Sequence, residues 1–304
     1  MFGNNFANYS LQAGNEVIGI GRSPRKSYLE HLDFPYFIYH LTYELEYVLK
    51  VIDQFKPDVV VNFAAQGEGA ASWDKDNWRF YETNCVGLVK LTNFLNCHFI
   101  QIGSSEVYGS VNRPISEDSL LNPTSPYSVS KAAFDLHLMA MHKVKGMPIN
   151  IVRPSNCYAP GQQLHRIIPK AFIYGLTERK IPLHGGGRAQ KSYLHATDLS
   201  SAILTIIKQA PFGEIYNVGP DDPISIWEVV SECALTLGLE PKQLIEEVPE
   251  RVGQDSCYWL DSGKIKQFGW NQEIGFQKGL EDMLQWIKKY PQLLKLPTEF
   301  VMRA

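Results

Sequence analysis

Five short apolar runs recur through the first half of the chain, at 16–20, 37–41, 59–63, 99–102 and 149–152. Before and between them, 1–12, 43–55, 78–95 and 127–145 read as helices, the last with apolar residues recurring from Val129 to Met141 and no Gly or Pro before Gly146. Strand and helix thus alternate about every 30 residues, the rhythm of consecutive strand–helix–strand units. That alternation predicts an α/β protein built on a doubly wound parallel sheet. The run Val59-Val60-Val61-Asn62-Phe63 has the apolar continuity of a strand covered on both faces. The sheet is expected over 1–152. A smaller α/β region, interleaved with it, is expected over 153–304.

The stretch from Gly103 to Lys131 carries the chemistry. Gly103-Ser104-Ser105-Glu106-Val107-Tyr108-Gly109 follows the carboxyl end of the strand at 99–102, where open parallel sheets gather their ligands. Tyr127 and Lys131 follow, four residues apart and so stacked on one face of the helix at 127–145. A free phenol, with a pKa of about 10, is a poor base at neutral pH. A neighbouring ammonium favours the phenolate, which can then take a proton from an alcohol while a nicotinamide takes the hydride. The Ser104 hydroxyl can hydrogen-bond the same substrate oxygen. Tyr-x-x-x-Lys alone is a weak signal. The preceding strand, the Ser-Ser-Glu-Val-Tyr-Gly run and the prolines at 123 and 126 make it a strong one.

With these residues the chain resembles the extended short-chain dehydrogenase/reductases, and within them the NAD(P)-dependent nucleotide-sugar epimerases and dehydratases. The resemblance runs from Met1 to about Tyr290 and implies a Rossmann-like fold. It implies catalytic roles for Ser104, Tyr127 and Lys131, with Tyr127 and Lys131 also at the cofactor. Ser105 and Glu106 stand where the family keeps an acid/base pair, which points to a 4,6-dehydratase: oxidation at C4, proton removal at C5, loss of the C6 oxygen and return of hydride to C6. A 4-epimerase, a 4-keto-reductase or a decarboxylase fits the same residues, and a non-catalytic binding or scaffold member is the reading from another class. Ala64 and Ala65 match a pair beside the nicotinamide ribose. Asn84 falls on the helix at the cofactor side and is expected as a buried polar anchor rather than a catalyst. Asn156, in Arg153-Pro154-Ser155-Asn156-Cys157-Tyr158, is expected to touch substrate. Arg188 and Arg251 are expected on the diphosphate of a nucleotide sugar, since a planar guanidinium binds phosphate oxygens in pairs. Lys191-Ser192 replaces the usual Arg-Asp of that family, and Ala159 a usual glycine.

A dinucleotide fold begins with a strand and a Gly-x-x-Gly-x-x-Gly turn. Here only Gly3 matches, as its last glycine. Three accounts fit: a start downstream of the true one, residues missing upstream, or a truncated form that binds no cofactor. The first two are expected over the third. After 16–20 comes Gly21-Arg22-Ser23-Pro24-Arg25. An NAD-selective fold keeps a carboxylate at that strand end for the ribose. Glycine there, with Arg22, Ser23 and Arg25 able to hold a 2′-phosphate, favours NADP over NAD.

A net charge of −3 suggests neither a nucleic-acid surface nor a basic membrane patch. No apolar run approaches the ~20 residues of a membrane span. The five cysteines show no pairing or metal spacing, so no metal is expected. Reduced thiols and no visible signal peptide lead us to expect a cytoplasmic protein. A homodimer through the helices at 78–95 and 127–145 is what the resemblance implies.

Overall fold

The computed structural model describes residues 1–67, 69–249 and 255–300. The first half runs α1 (Phe2–Gln12), β1 (Gly19–Gly21), β2 (Tyr36–Ile38), α2 (Leu45–Phe55), β3 (Val59–Asn62), α3 (Trp78–Tyr81), a π-helical turn (Glu82–Val86), α4 (Gly87–Thr92), β4 (His98–Ile102) and α5 (Pro126–Lys145). The second half runs β5 (Ile149–Pro154), β6 (Asn156–Tyr158), α6 (Ile167–Leu176), β7 (Ile181–His184), β8 (Gln190–Lys191), β9 (Tyr193–His195), α7 (Ala196–Gln209) and β10 (Glu214–Val218). It ends with β11 (Ile224–Ser225), α8 (Ile226–Thr236), α9 (Pro241–Leu244), β12 (Ile245–Val248), β13 (Cys257–Tyr258), α10 (Gly263–Lys266) and α11 (Phe276–Lys289).

The main sheet has the order β10-β5-β4-β3, parallel throughout. Successive side chains of a strand point to opposite faces. Phe99, Ile149 and Ile151 therefore meet Val48, Leu88, Leu91, Phe134 and Leu138 on one side. Ile100, Ile102 and Val152 meet Leu199, Ile203 and Ile206 of α7 on the other, with Phe6 of α1 packed alongside. Fully burying an Ile or Phe stabilises by about 1.5–3 kcal/mol. The expected doubly wound parallel sheet is present. β10 lies beyond residue 152 yet pairs with β5, so the second half of the chain returns to the sheet. β6 pairs with β9, β7 with β12, and β8 with β11 and β13, over a second core under α6, α8 and α11.

The strand expected at 16–20 lies at Gly19–Gly21, paired in parallel with β2 as a separate two-stranded sheet. Its glycines have a steric cause. A β-carbon on Gly19 would stand 2.8 Å from the Tyr36 ring and 2.9 Å from Phe34. One on Gly21 would stand 2.1 Å from the Tyr36 hydroxyl. Two aromatic rings cover this face of β1, and only glycine fits beneath them. The helix expected over 78–95 is present but contains the π-helical turn. Asp198 sits in the first turn of α7 and accepts from the Glu273 and Ile274 amides, while His195 caps the helix.

Candidate active site

β4 delivers the chain to Gly103, and Ser104 begins a 3₁₀ turn at Ser105–Tyr108. Ser104 has extended backbone, and its Oγ accepts from the Glu106 amide at 3.2 Å. That leaves its own O–H to donate. Ser105 is buried and Glu106 half-buried. Gly109 closes the turn at φ 68°, and a β-carbon there would meet the Asn122 carbonyl at 2.4 Å.

α5 starts from a serine capping box: Ser125 Oγ accepts from the Ser128 amide at 3.1 Å and Ser128 Oγ accepts from the Ser125 amide at 2.9 Å. Pro126 takes the first helical position. Tyr127 therefore stands in the first turn, with the Phe80 ring edge-on at 6.3 Å. One turn on, Lys131 is 2% exposed and its Nζ donates to the Ile102 carbonyl at 2.6 Å. That carbonyl is the last of β4, so the ammonium ties helix to strand end. Burial pulls the Lys131 amine down to about 8, and the Asp135 carboxylate opposes the shift.

Asn84 is fully buried. Its Oδ1 accepts from the Gln66 amide at 2.8 Å, and its Nδ2 donates to the Gln66 carbonyl and to Ser130 Oγ, both at 3.0 Å. Ser130 Oγ in turn donates to the Tyr127 carbonyl at 2.7 Å. Asn84 therefore locks the segment after β3 onto the first turn of α5, as a polar anchor. Ala64 and Ala65 are exposed at the carboxyl end of β3. With no side chain beyond Cβ, they leave this strand end open to close approach.

The other expected residues are more spread out. Gly3 lies in the first turn of α1, where a β-carbon would touch the Phe63 ring at 3.4 Å. Arg22 lines a small pocket with His40, Gln66 and Arg79. The Ser23 carbonyl accepts from the Tyr36 hydroxyl at 2.9 Å. Arg25 stacks over Phe34 at 4.4 Å and Tyr36 at 5.1 Å, and donates to the Leu32 and Phe34 carbonyls. It is thereby committed to its own loop. Asn156 opens β6, its amide held by the Ser192 carbonyl at 3.1 Å. Arg188 is exposed after the Gly185–Gly187 turn. Arg251 lies outside the described residues.

One buried tyrosine was not singled out from sequence. The Tyr258 hydroxyl donates to Asp255 Oδ2 at 2.6 Å, and Thr124 and Ser110 donate to the same carboxylate. Burial raises the Tyr258 phenol strongly, and the charges of Glu106, Asp255 and Tyr127 add to it. The Tyr258 ring also carries the Lys191 ammonium at 5.0 Å. The signal available was its place just after the Arg251-Val252-Gly253-Gln254-Asp255 run.

The sequence profile of the NAD dependent epimerase/dehydratase family matches residues 1–219. The dTDP-D-glucose 4,6-dehydratase of Homo sapiens is 30% identical over 253 residues, 80% of this chain and 72% of that protein. A trifunctional UDP-glucose 4,6-dehydratase/3,5-epimerase/reductase of Arabidopsis thaliana is 29% identical over 245 residues. There the chain spans 37% of the relative's length. The structure of dTDP-glucose 4,6-dehydratase from Bacillus anthracis, in complex with NAD, superposes with a TM-score of 0.86 at 30% identity, covering 96% of this chain and 94% of that one. A UDP-glucose 4-epimerase from Thermus thermophilus, complexed with NAD, shares the fold at a TM-score of 0.88 and 23% identity, over 95% and 96% of the two chains.

Proposed function

The chain belongs to the NAD dependent epimerase/dehydratase family, and from that premise we propose that it is a nucleotide-sugar enzyme of the 4,6-dehydratase type. The observation that carries the reading is that the Lys131 Nζ bond to the Ile102 carbonyl pins the helix bearing Tyr127 to the strand end from which the Ser104–Glu106 turn springs, so that a carboxylate and a lysine-supported phenol leave one strand end together. An epimerase needs the phenol alone; a dehydratase needs both.

Tyr127 and Lys131, with Ala64 and Ala65, would hold the nicotinamide end, which supplies a reversible hydride acceptor. Tyr127 takes the proton of the C4 hydroxyl as that carbon is oxidised, with Ser104 donating a hydrogen bond to the same oxygen. The new ketone acidifies C5. Glu106 removes that proton while the C6 oxygen departs, and the proton passes from Glu106 through buried Ser105 to that oxygen, which leaves as water. The hydride taken from C4 would return to C6 and the proton held by Tyr127 would reach C5, so that a 4-keto-6-deoxy sugar and water are formed and the cofactor ends as it began. Asn156 and Arg188 face the substrate in this reading, with Arg251 on the diphosphate.

For the cofactor we favour NADP. Gly21 cannot be replaced by a carboxylate beneath Tyr36, and Arg22 and Ser23 stand at that strand end. Arg25, occupied by Phe34 and Tyr36, contributes little. The solved relatives named above carry NAD, so paired titration with NADPH and NADH tests this point. Tighter NADH binding would overturn it.

We further take 1–152 as the cofactor half and 153–304 as mainly the sugar-nucleotide half. A homodimer would cover Trp78, Val86 and Phe94 together with Val129, Leu136 and Val144, six exposed apolar residues on and just beyond the helices flanking the site. Among the described residues no helix is long and apolar enough to cross a membrane, and all five thiols are free. The free thiols support a cytoplasmic location.

The decisive experiment is a screen of dTDP- and UDP-glucose for a 4-keto-6-deoxy product, with Tyr127→Phe as the control. We expect product from the unaltered protein and a loss of about 10²–10⁴-fold in the variant with its fold retained. Equal turnover by both would end the catalytic assignment of Tyr127.

A further inference from the structure

Tyr127, Lys131 and Asp135 stand at i, i+4 and i+8 on α5, on one face of the helix. Asp135 is 0% exposed, and Arg153 on the neighbouring β5 is 2% exposed. Arg153 Nε donates to Asp135 Oδ2 at 2.9 Å. The other oxygen, Oδ1, is buried and takes no hydrogen bond among the described residues. Arg153 is fixed from its far side as well: Nη1 donates to the Tyr108 hydroxyl at 2.8 Å, which donates to Asn217 Oδ1 at 3.0 Å. Room for the pair comes from Gly103. A β-carbon there would stand 3.1 Å from Arg153 Cγ and 3.4 Å from Asp135 Oδ2.

A buried carboxylate between two buried cations can serve either of them. From this geometry we infer that Asp135 is a positioning residue that keeps the Lys131 ammonium charged, and that Arg153 holds Asp135 in place for that task. The inference rests on the reading of Tyr127 as the base, because the charge matters through the phenol. The deep burial of Lys131 disfavours its charged form, and Asp135 is the group whose charge opposes that effect. Burial also pushes the Asp135 carboxyl up, against the pull of Arg153 and then Lys131. The elements packed on α5 bring further titratable groups. The turn after β4 brings Glu106 and Tyr108, and β5 brings Arg153. The segment 78–92 brings Arg79, Tyr81, Glu82, Cys85 and Lys90. Of these, Arg153 and Tyr108 belong to the hydrogen-bonded cluster.

The test is the ionisation of Tyr127 itself, read as the 295 nm difference titration between each protein and its Tyr127→Phe counterpart. It needs no substrate. The unaltered protein should show a phenol that ionises below the ordinary value of about 10. Asp135→Asn, which keeps the shape and removes the charge, should move that ionisation up by about one pH unit or more. Arg153→Met, which removes both the hold on Asp135 and the cation that favours its charge, should move it up as well, by less than Asp135→Asn; no shift would overturn the role given to Arg153. If Asp135→Asn fails to fold, Asp135→Asn with Arg153→Met removes both charges and should show the same upward shift. A pair that serves only the fold predicts instead that the double variant titrates like the unaltered protein, and that result would overturn the inference. Were Tyr127 to ionise normally in the unaltered protein, the reading of Tyr127 would fail first, and the inference with it.

Discussion

The carboxylate of Glu106 rests against the backbone of Gly69: a β-carbon added there would stand 3.0 Å from Oε2. Gly69 has φ −57° and ψ −43°, a conformation alanine adopts without strain. Gly69→Ala therefore acts by displacing the carboxylate. We expect a folded protein with turnover reduced about tenfold, the loss falling on proton removal from C5. Deuterium incorporation at C5, followed by NMR, is the readout. Exchange at the original rate would mean that this contact does not hold Glu106 in place.

Glu106→Gln separates the two halves of the reaction. Oxidation at C4, followed at 340 nm in a single turnover, should survive. Formation of the 6-deoxy product should fall about 10²–10⁴-fold, the usual worth of a positioned base. Equal losses in both steps would sink the division of labour between Glu106 and Tyr127.

Asn84→Ala should cost about 2–4 kcal/mol, since three buried hydrogen bonds go and the Gln66 amide is stranded. The denaturation midpoint measures this. A loss under ~1 kcal/mol would show that the segment after β3 is held by other contacts.

Burial holds the His195 imidazole neutral down to about 4. In the unfolded chain the ring takes a proton near 6.5. Between these values the unfolded state binds more protons, so stability falls as pH drops from about 6.5 to 4. The fall from this group is on the order of 3 kcal/mol. His195→Asn keeps an acceptor for the Thr197 amide and removes the titration. Its stability should depend less steeply on pH over that window in chemical denaturation series. The same slope in both proteins would assign the acid loss to other groups.

Lys131 reverses the usual bond between function and stability. With its folded value at about 8 against 10.5 unfolded, the charged form costs about 3 kcal/mol at neutral pH. Lys131→Met also loses the bond to the Ile102 carbonyl. We expect a net gain of about 1 kcal/mol together with loss of turnover. Because the unfolded chain binds more protons between 8 and 10.5, the unaltered protein should gain stability with pH there, and the variant should not. A destabilised variant would show that the Ile102 bond outweighs the burial of the charge.

Much of this was legible in the sequence because it is local or periodic. β4 and β5 are buried on both faces and β3 is half-buried at the sheet's end; all three announce themselves as apolar runs. Tyr127 and Lys131 are placed by helical spacing alone. β1 was misread by three residues, because a strand whose glycines lie under Phe34 and Tyr36 looks from sequence like a turn. The cation–π stack that occupies Arg25 was hidden for a related reason: it depends on rings about ten residues further on. The cluster of Tyr258, Thr124 and Ser110 on Asp255 could not be read, since it joins residues more than 100 positions apart. Nor could the π-helical turn be read, because the apolar pattern over 78–95 passes through it unbroken.

That turn changes which alterations in length the segment can take. An i→i+5 turn spends one residue more than an i→i+4 turn for nearly the same rotation and rise. Excising the surplus residue from Glu82–Val86 would therefore restore α-helical winding and leave Leu88 and Leu91 facing the sheet. A single deletion within the flanking α-helical turns would instead rotate everything after it by about 100°. Asn84 could then not face Gln66 and Ser130 while Leu88 and Leu91 still faced the core. The surplus residue is thus absorbed where it stands and is not passed on to the core.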